Sequence, residues 1–175
     1  SMATAASAEP AAVSKEAAPF TSKALDGGKV PSAQAATQLT QEQIDNARTI
    51  IAVGKGADLS TQAQKIAVMT ALQESSLYNL DGGDRDSAGL FQQRPSMGWG
   101  TLAQVTDPVY ASKSFYGVNP EGSNLGLIQI EGWETMVPGA AAQAVQGSAF
   151  PAEYDKWDPL ATELVNGNQD VAPIS

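Results

Sequence analysis

Two helix-start signals, at Thr40 and Ser60, organise the first half of this chain. Thr40 is followed three residues later by Gln43, which is the spacing of a capping box, and apolar residues recur behind it with a helical period. Glycines end this first predicted helix by Gly56, and the second helix, capped by Ser60, runs to about Ser76. Two capped helices joined by so short a link favour a mainly α-helical fold.

The rest of the chain alternates helix signals with breaks. Residues Asn79–Arg94 interrupt the helical pattern with glycines and acids, which predicts a loop or short hairpin. Asp107 followed by Pro108 predicts a further helix start, because Asp caps well and Pro suits the first turn. Helices are also predicted over residues 138–145 and 152–164. The sequence therefore predicts a mainly α domain of four to six short helices, with a small loop or hairpin region beside the second.

Composition divides the chain into three parts. Residues 1–38 are rich in Ala, Ser and Pro without a sustained apolar period, which predicts a flexible leader or linker; the alternative is a short helix at Ser14–Ala18. Residues 39–165 form the predicted folded domain, and residues 166–175 a C-terminal tail that we expect to fray. A length of 175 residues suits one such domain with a core.

The residue inventory limits the chemistry. The chain has no Cys and no His, which excludes a thiol nucleophile, a Ser-His-Asp triad and zinc sites built on these residues. Acid/base chemistry must therefore use Asp, Glu, Lys or Tyr. The net charge of −9 argues against nucleic acid and anionic lipid as partners, because phosphate binding needs a basic surface. No apolar run is long enough to insert into a membrane.

Glu74, near the end of the second predicted helix, is the best candidate for acid/base work. At about 100° per residue, Glu74 lies within roughly 20° of Ala63 and Ala67 and roughly 60° of Ala71, on the predicted core-facing stripe, and Lys65 points away. A carboxyl there is partly withdrawn from water, which favours the proton-carrying form that a general acid needs. The alternative is a surface Glu at a frayed helix end.

The residues around Glu74 carry a resemblance. Gln73-Glu74-Ser75 at a helix end, then Ser87, then Gly89-Leu90-Phe91-Gln92, resembles the motif of lytic transglycosylases and goose-type lysozymes. Gly89 follows Glu74 by fifteen residues, where that family has about a dozen. The stretch Leu39–Trp157 is also similar to a group of secreted proteins of Gram-positive bacteria, which share segments like Gly83–Gly100 and Ala141–Pro151.

This resemblance implies a lysozyme-like domain that cleaves the bond between N-acetylmuramic acid and N-acetylglucosamine in peptidoglycan. No cofactor is expected, and no metal either, because the acidic stretch Asp81–Ser87 lacks the twelve-residue pattern and the terminal Glu of an EF-hand calcium site. Glu74 would be the general acid and then the general base. Ser75 would orient the sugar or the loop, and Ser87 would lie near the N-acetyl group. Gly89, Leu90, Phe91 and Gln92 would line the groove, with Gln92 donating to the glycan. The partner would be a peptidoglycan strand, with a protein partner left open.

The resemblance also implies a secreted or cell-wall-associated protein. The chain as given has no signal peptide, and Ser1-Met2 is typical of a start added in cloning, so a mature secreted form would look the same.

The chain departs from the family's third motif, where an Asn usually stands beside a Tyr. Gln143 or Gln146 is the candidate replacement, and the sequence leaves the choice open. Tyr154 is the candidate for the tyrosine that the family places near its catalytic Glu, and core packing is an equally good interpretation of it. The altered motif favours a second hypothesis, a catalytically weak glycan-binding or protein-interaction module that keeps the lysozyme-like fold.

The loop after the second helix raises the question of a second carboxylate. Hydrolysis by paired carboxylates needs an acid opposite Glu74, and the loop offers Asp81, Asp84 and Asp86. By resemblance, lytic transglycosylases need none, because a hydroxyl of the substrate attacks and an anhydro-sugar forms. A structural role beside the loop arginines is the alternative. In the same region, Trp99 is predicted either to stack on a sugar face or to anchor the loop.

Overall fold

The computed structural model describes residues 36–147 and 152–175, and over these residues the protein is a mainly α-helical domain without a β-sheet. Seven α-helices follow one another along the described residues, and short 3-10 turns lie between some of them. In chain order they are α1 (Gln41–Gly56), α2 (Thr61–Ser75), α3 (Leu102–Val105), α4 (Pro108–Tyr116), α5 (Pro138–Gln146), α6 (Ala152–Asp155) and α7 (Asp158–Gly167). The mainly α prediction is confirmed, with more helices than the four to six expected.

The predicted helix starts are where the sequence places them. The Thr40 side chain accepts from the Gln43 amide at 3.2 Å, and the Gln43 side chain accepts from the Thr40 amide at 2.8 Å, which completes the capping box of α1. Ser60 caps α2, and Asp107 caps α4 by accepting from two backbone amides. These caps satisfy amides that the first helical turn leaves without an intrahelical partner.

Helix α2 is the centre of the domain and packs against five of the other α-helices. The sequence pattern suggested one core-facing stripe, and this expectation is wrong, because α2 is buried on every side from Ile66 to Leu72. Even Lys65, assigned to the opposite face, is partly buried and pairs with Asp158 of α7 at 3.2 Å. The position of Glu74 on the wheel therefore does not explain its environment.

The last part of the domain differs from the prediction of a single helix over residues 152–164. The chain forms α6 and α7 instead, with Trp157 between them and Pro159 in the first turn of α7. Proline lacks an amide to continue a preceding helix and suits a new first turn, which accounts for the break. The short α3 was not predicted, although Thr101 and Gln104 form its capping box.

The C-terminal tail is packed, and the expectation that it frays is wrong. The amide of Ile174 donates to the carbonyl of Ala52 at 3.0 Å, and Val171 is buried in the core. Lys55 donates to the carbonyls of Gln169 and Val171, so α1 holds the tail at several points.

The predicted leader lies almost entirely outside the described residues, and so does the alternative helix at Ser14–Ala18. Its last three residues, Ala36–Gln38, form a 3-10 turn, and Ala36 packs against the core. Among the helices that the structure describes, none has the length and apolar character needed to cross a membrane.

Candidate active site

Glu74 lies in the last turn of α2 and is the one partly exposed residue in an otherwise buried segment. From Ile66 to Tyr78 every residue except Glu74 is buried, and Glu74 is half-buried. The helix end therefore offers one carboxyl to solvent from within a rigid core. The carboxyl is partly accessible to solvent, while the residues before and after it along the backbone are buried.

The chain beyond Glu74 leaves the helix through two strained residues. Ser76 and Leu77 both have left-handed backbone conformations, with φ of 56° and 65°, which are unfavourable for residues other than glycine. Helix α1 holds them in place, because Gln43 donates to the Ser76 carbonyl at 2.8 Å and Asn46 donates to the Leu77 carbonyl at 2.9 Å. The helix end that carries Glu74 is thus fixed from α1.

Ser75 ties this helix end to the segment that the sequence singled out. Its hydroxyl donates to the carbonyl of Leu90 at 2.8 Å and lies 3.1 Å from the carbonyl of Ala71 in its own helix. Ser75 has no exposed surface, so its observed contacts position the loop. The resemblance also allowed Ser75 to contact the sugar directly, but a side chain without exposed surface does not support this.

Gly89–Gln92 forms a tight turn closed by a single antiparallel pair of residues. Ala88 and Gln93 exchange two backbone hydrogen bonds of 3.1 Å. Gly89 has a φ of 85°, and a Cβ there would lie 2.0 Å from the carbonyl oxygen of Val105, so only glycine fits. Leu90 and Phe91 are fully buried, which makes this part of the motif structural.

The turn is anchored to two helices through Phe91. Its ring stacks on Phe115 of α4 with a centroid separation of 4.9 Å, and its carbonyl accepts from the Gln146 side chain of α5 at 2.8 Å. Gln146 therefore reaches the turn, and no hydrogen bond from Gln143 to the turn is found in the described chain. Both glutamines have a buried side-chain oxygen without a hydrogen-bond partner among the described residues.

Ser87 and Gln92 bond to one another inside the loop. The Ser87 hydroxyl lies 2.9 Å from Oε1 of Gln92 and 2.7 Å from the carbonyl of Asp84, and Gln92 donates to the Gly89 carbonyl at 3.1 Å. Gln92 has a left-handed conformation, with φ of 51°. These contacts fix the loop conformation, and the sugar contacts implied by the resemblance stay predictions for both residues.

Tyr154 lies directly against Glu74. Its hydroxyl donates to Oε2 of Glu74 at 2.6 Å, and its ring is only 2 % exposed. The neighbouring Trp157 donates its indole N–H to Oε1 of Gln73 at 2.8 Å. Two aromatic side chains near the C-terminal end thus hold Glu74 and the residue before it. Tyr154 therefore packs in the core and also contacts the Glu74 carboxyl, and its place in an active site stays a prediction.

The loop acids form structural contacts. Asp86 accepts from Arg94 Nε at 2.6 Å and from the Ser96 amide at 2.8 Å, and these bonds lower the pKa of Asp86 to about 2. Asp84 is exposed and lies 4.0 Å from Arg85, and Asp81 is exposed as well. The structural role considered for these acids is thus observed for Asp86. In the described parts of the chain, no three acidic side chains are grouped so that they could hold a metal ion.

The sequence did not indicate several residues that build this site. Gln43 was recognised as a cap, but its amide also supports the strained helix end, and Asn46 does the same without any local signal. Gln73 belonged to the motif, but its partner lies 84 positions along the chain. A glutamine at a buried helix position needs hydrogen-bond partners for its side-chain oxygen and its side-chain NH₂ group. The presence of Gln73 at such a position was therefore the one indication in the sequence that it has a partner elsewhere in the fold.

Comparisons of the sequence with protein families and with curated proteins identify no relative of this chain.

Proposed function

We propose that this protein is a peptidoglycan glycosidase with a lysozyme-like fold, and that Glu74 is its general acid and base. One observation carries the proposal. The only residue of a buried helix end that reaches solvent is a carboxylic acid, and a buried tyrosine hydroxyl holds one of its oxygens at 2.6 Å. A partly buried carboxylic acid that is held in place and reaches solvent can serve as the proton donor to a glycosidic oxygen.

The proposed reaction needs only this one carboxyl. Protonated Glu74 donates its proton to the glycosidic oxygen as the bond from that oxygen to C1 of the muramic acid residue breaks. The 6-hydroxyl of the same sugar attacks C1 and gives its proton to the Glu74 carboxylate, which restores the acid. The products are a 1,6-anhydro-muramic end and a free N-acetylglucosamine end, and no water is consumed.

The state of the loop acids favours transglycosylation over hydrolysis. Both carboxyl oxygens of Asp86 are already engaged, one by Arg94 and the other by a backbone amide. The side chain of Asp84 is 88 % exposed and lies beside Arg85. Asp86 is thus committed to holding the loop, and Asp84 projects into solvent, so neither carboxylate has a contact that links it to Glu74.

The test is digestion of purified peptidoglycan, with the released muropeptides identified by mass spectrometry. We expect the wild type to release anhydro-muramic products and Glu74→Gln to release none, because glutamine keeps the shape but has no proton to donate. One general acid contributes roughly two to four orders of magnitude in rate, and nothing else replaces it here. Glu163→Gln, on the exposed face of α7, is the matched control and should keep full activity. Wild-type activity in Glu74→Gln would refute the assignment.

Asp84→Asn and Asp86→Asn separate the two mechanisms. If transglycosylation operates, both variants keep most of the activity and the products carry anhydro ends. If either variant is as inactive as Glu74→Gln and the products carry reducing ends, the reaction is hydrolysis with a second carboxylate.

A second candidate function is glycan binding without turnover. The feature that favours it is the altered third motif, which has Gln143 and Gln146 and no asparagine; of the two, Gln146 contacts the turn. In that case the wild type would sediment with several wall preparations and release no muropeptide from any of them.

A further inference from the structure

A concave site lies beside Trp99, and none of the residues that contact Glu74 line it. Its volume is about 270 Å³, and it shares none of its lining with the candidate active site. This volume lies near the lower end of the range for small-molecule sites, roughly 300 to 1,000 Å³, so it suits a single ring. The side chains that give the pocket its chemical character are those of Trp99, Ser114, Asn119, Asn124, Leu125 and Gln129.

The lining combines an aromatic ring with neutral polar groups. Among the described residues that form it there is no charged side chain, and the polar groups are carboxamides and hydroxyls. Leu125 stands at the rim with 63 % of its surface exposed, and Met97, whose carbonyl is bonded to Asn124, is exposed as well. An indole, amides and an apolar rim together match a neutral molecule that has both apolar C–H faces and hydroxyl groups.

The polar side chains are held in place before any ligand binds. Asn119 donates to the Ser114 hydroxyl at 2.9 Å and accepts from the amide of Glu121 at 2.9 Å. Gln129 bridges the carbonyl of Gly117, at 2.9 Å, and the amide of Gly126, at 2.8 Å. A pocket whose walls are fixed in this way loses little conformational entropy when a ligand binds.

Asn124 offers the pocket a hydrogen-bond acceptor. Its Nδ2 donates to the Met97 carbonyl at 3.0 Å, and within the described chain its Oδ1 accepts no hydrogen bond. The donor is thus used to hold the loop, while the acceptor remains for a hydroxyl or an amide N–H of a ligand.

We propose that this pocket binds one uncharged N-acetylhexosamine ring, with the indole of Trp99 against a sugar face and Oδ1 of Asn124 accepting from the ligand. The net charge of −9 disfavours anionic ligands, so a neutral N-acetylglucosamine unit fits better than a muramic acid unit with its carboxylate. The choice of an N-acetylated sugar rests on the proposed function, whereas binding of a neutral sugar does not depend on cleavage. The pocket would give the protein a second contact with a glycan strand.

The three tryptophans of the chain serve as separate reporters for the test. In an NMR titration of the full chain carrying Glu74→Gln, the indole signal of Trp99 reports on the pocket and that of Trp157 on the candidate active site. Trp133, which is buried and lines neither site, is the internal control. The probe is N-acetylglucosamine, added up to the order of 100 mM because so small a ligand binds weakly.

We expect the Trp99 signal to shift and saturate while the Trp133 signal stays in place. N-acetylmuramic acid should saturate this shift only at higher concentration. An unmoved or unsaturated Trp99 signal overturns the proposal, and so does a shift confined to Trp157. Failure of the proposed function appears in a different measurement, as an absence of muropeptide release by the wild type, and leaves this titration unaffected.

Variants of the pocket complete the test. Leu125→Ala, at an exposed rim position, should weaken binding several-fold without altering the fold. Trp99→Ala should weaken binding roughly tenfold or more, and Trp99→Phe should recover part of it because an aromatic face remains. Unchanged affinity in Leu125→Ala and Trp99→Phe, each with a wild-type spectrum elsewhere, would refute the pocket as the binding site.

Discussion

Replacing Tyr154 with phenylalanine tests whether the tyrosine hydroxyl positions Glu74. The ring is 2 % exposed, so phenylalanine fills the same space, and the change removes only the hydroxyl 2.6 Å from Oε2 of Glu74. A hydrogen bond to a charged group contributes about 1.5 to 3 kcal/mol. Glu74 is half-buried and water can replace part of this bond, so we expect the lower end of that range. If the whole loss falls on the transition state, kcat decreases about tenfold.

The assay is the initial rate of muropeptide release, with kcat and KM determined separately, alongside urea unfolding. Tyr116→Phe is the matched control, because its hydroxyl donates to the carbonyl of Ile50 at 2.8 Å in the fully buried core. We expect both variants to lose stability, but only Tyr154→Phe to lose kcat, with KM unchanged. Equal loss of kcat in both variants would assign the effect to general destabilisation. A wild-type kcat in Tyr154→Phe would refute the positioning role.

Three further predictions concern the loop and the helix end. Gly89→Ala places a Cβ 2.0 Å from a backbone carbonyl oxygen and should lower the free energy of unfolding in urea by at least about 2 kcal/mol. Gly82→Ala is the control and should be nearly neutral, because a Cβ there meets nothing within 4 Å. Because the pKa of Asp86 is lowered from 3.8 to about 2, its contribution to stability is present above pH 4 and is lost as the pH falls through 2. Asp86→Asn should therefore destabilise the protein at pH 6 and do so much less at pH 2. Gln43→Glu keeps the cap but cannot donate to the Ser76 carbonyl, and should cost about 1 to 3 kcal/mol in thermal unfolding.

The helix starts could be predicted because each cap is a local interaction. Thr40 and Gln43 are three residues apart, and Asp107 accepts from amides two and three residues later. A short-range pattern in the sequence therefore contains both partners of each bond. The break at Trp157 also had a local signal, because Asp158-Pro159 repeats the Asp-Pro pattern that marked the start of α4. The prediction of one helix across residues 152–164 overlooked that signal.

Long-range contacts of the site had no such signal. Tyr154 and Glu74 are 80 residues apart, and Gln146 and Phe91 are 55 apart. The order of residues within one segment carries no information about which distant segment packs against it. The resemblance did suggest Tyr154 as the tyrosine beside Glu74. The sequence could not decide between this contact and core packing, and in the structure the same side chain does both.

Glu74 is partly exposed because it lies at the end of α2, and not because it lies on an exposed face of that helix. Since α2 is buried on every side, an amphipathic pattern could not reveal which of its residues reaches solvent. The left-handed conformations of Ser76 and Leu77 end the helix immediately after Ser75, one residue beyond Glu74. Contacts from α1, from the turn at Leu90 and from α6 hold this helix end in place. Three separate parts of the chain must therefore fold correctly before this carboxyl is positioned, which is why no single segment of the sequence encodes the site.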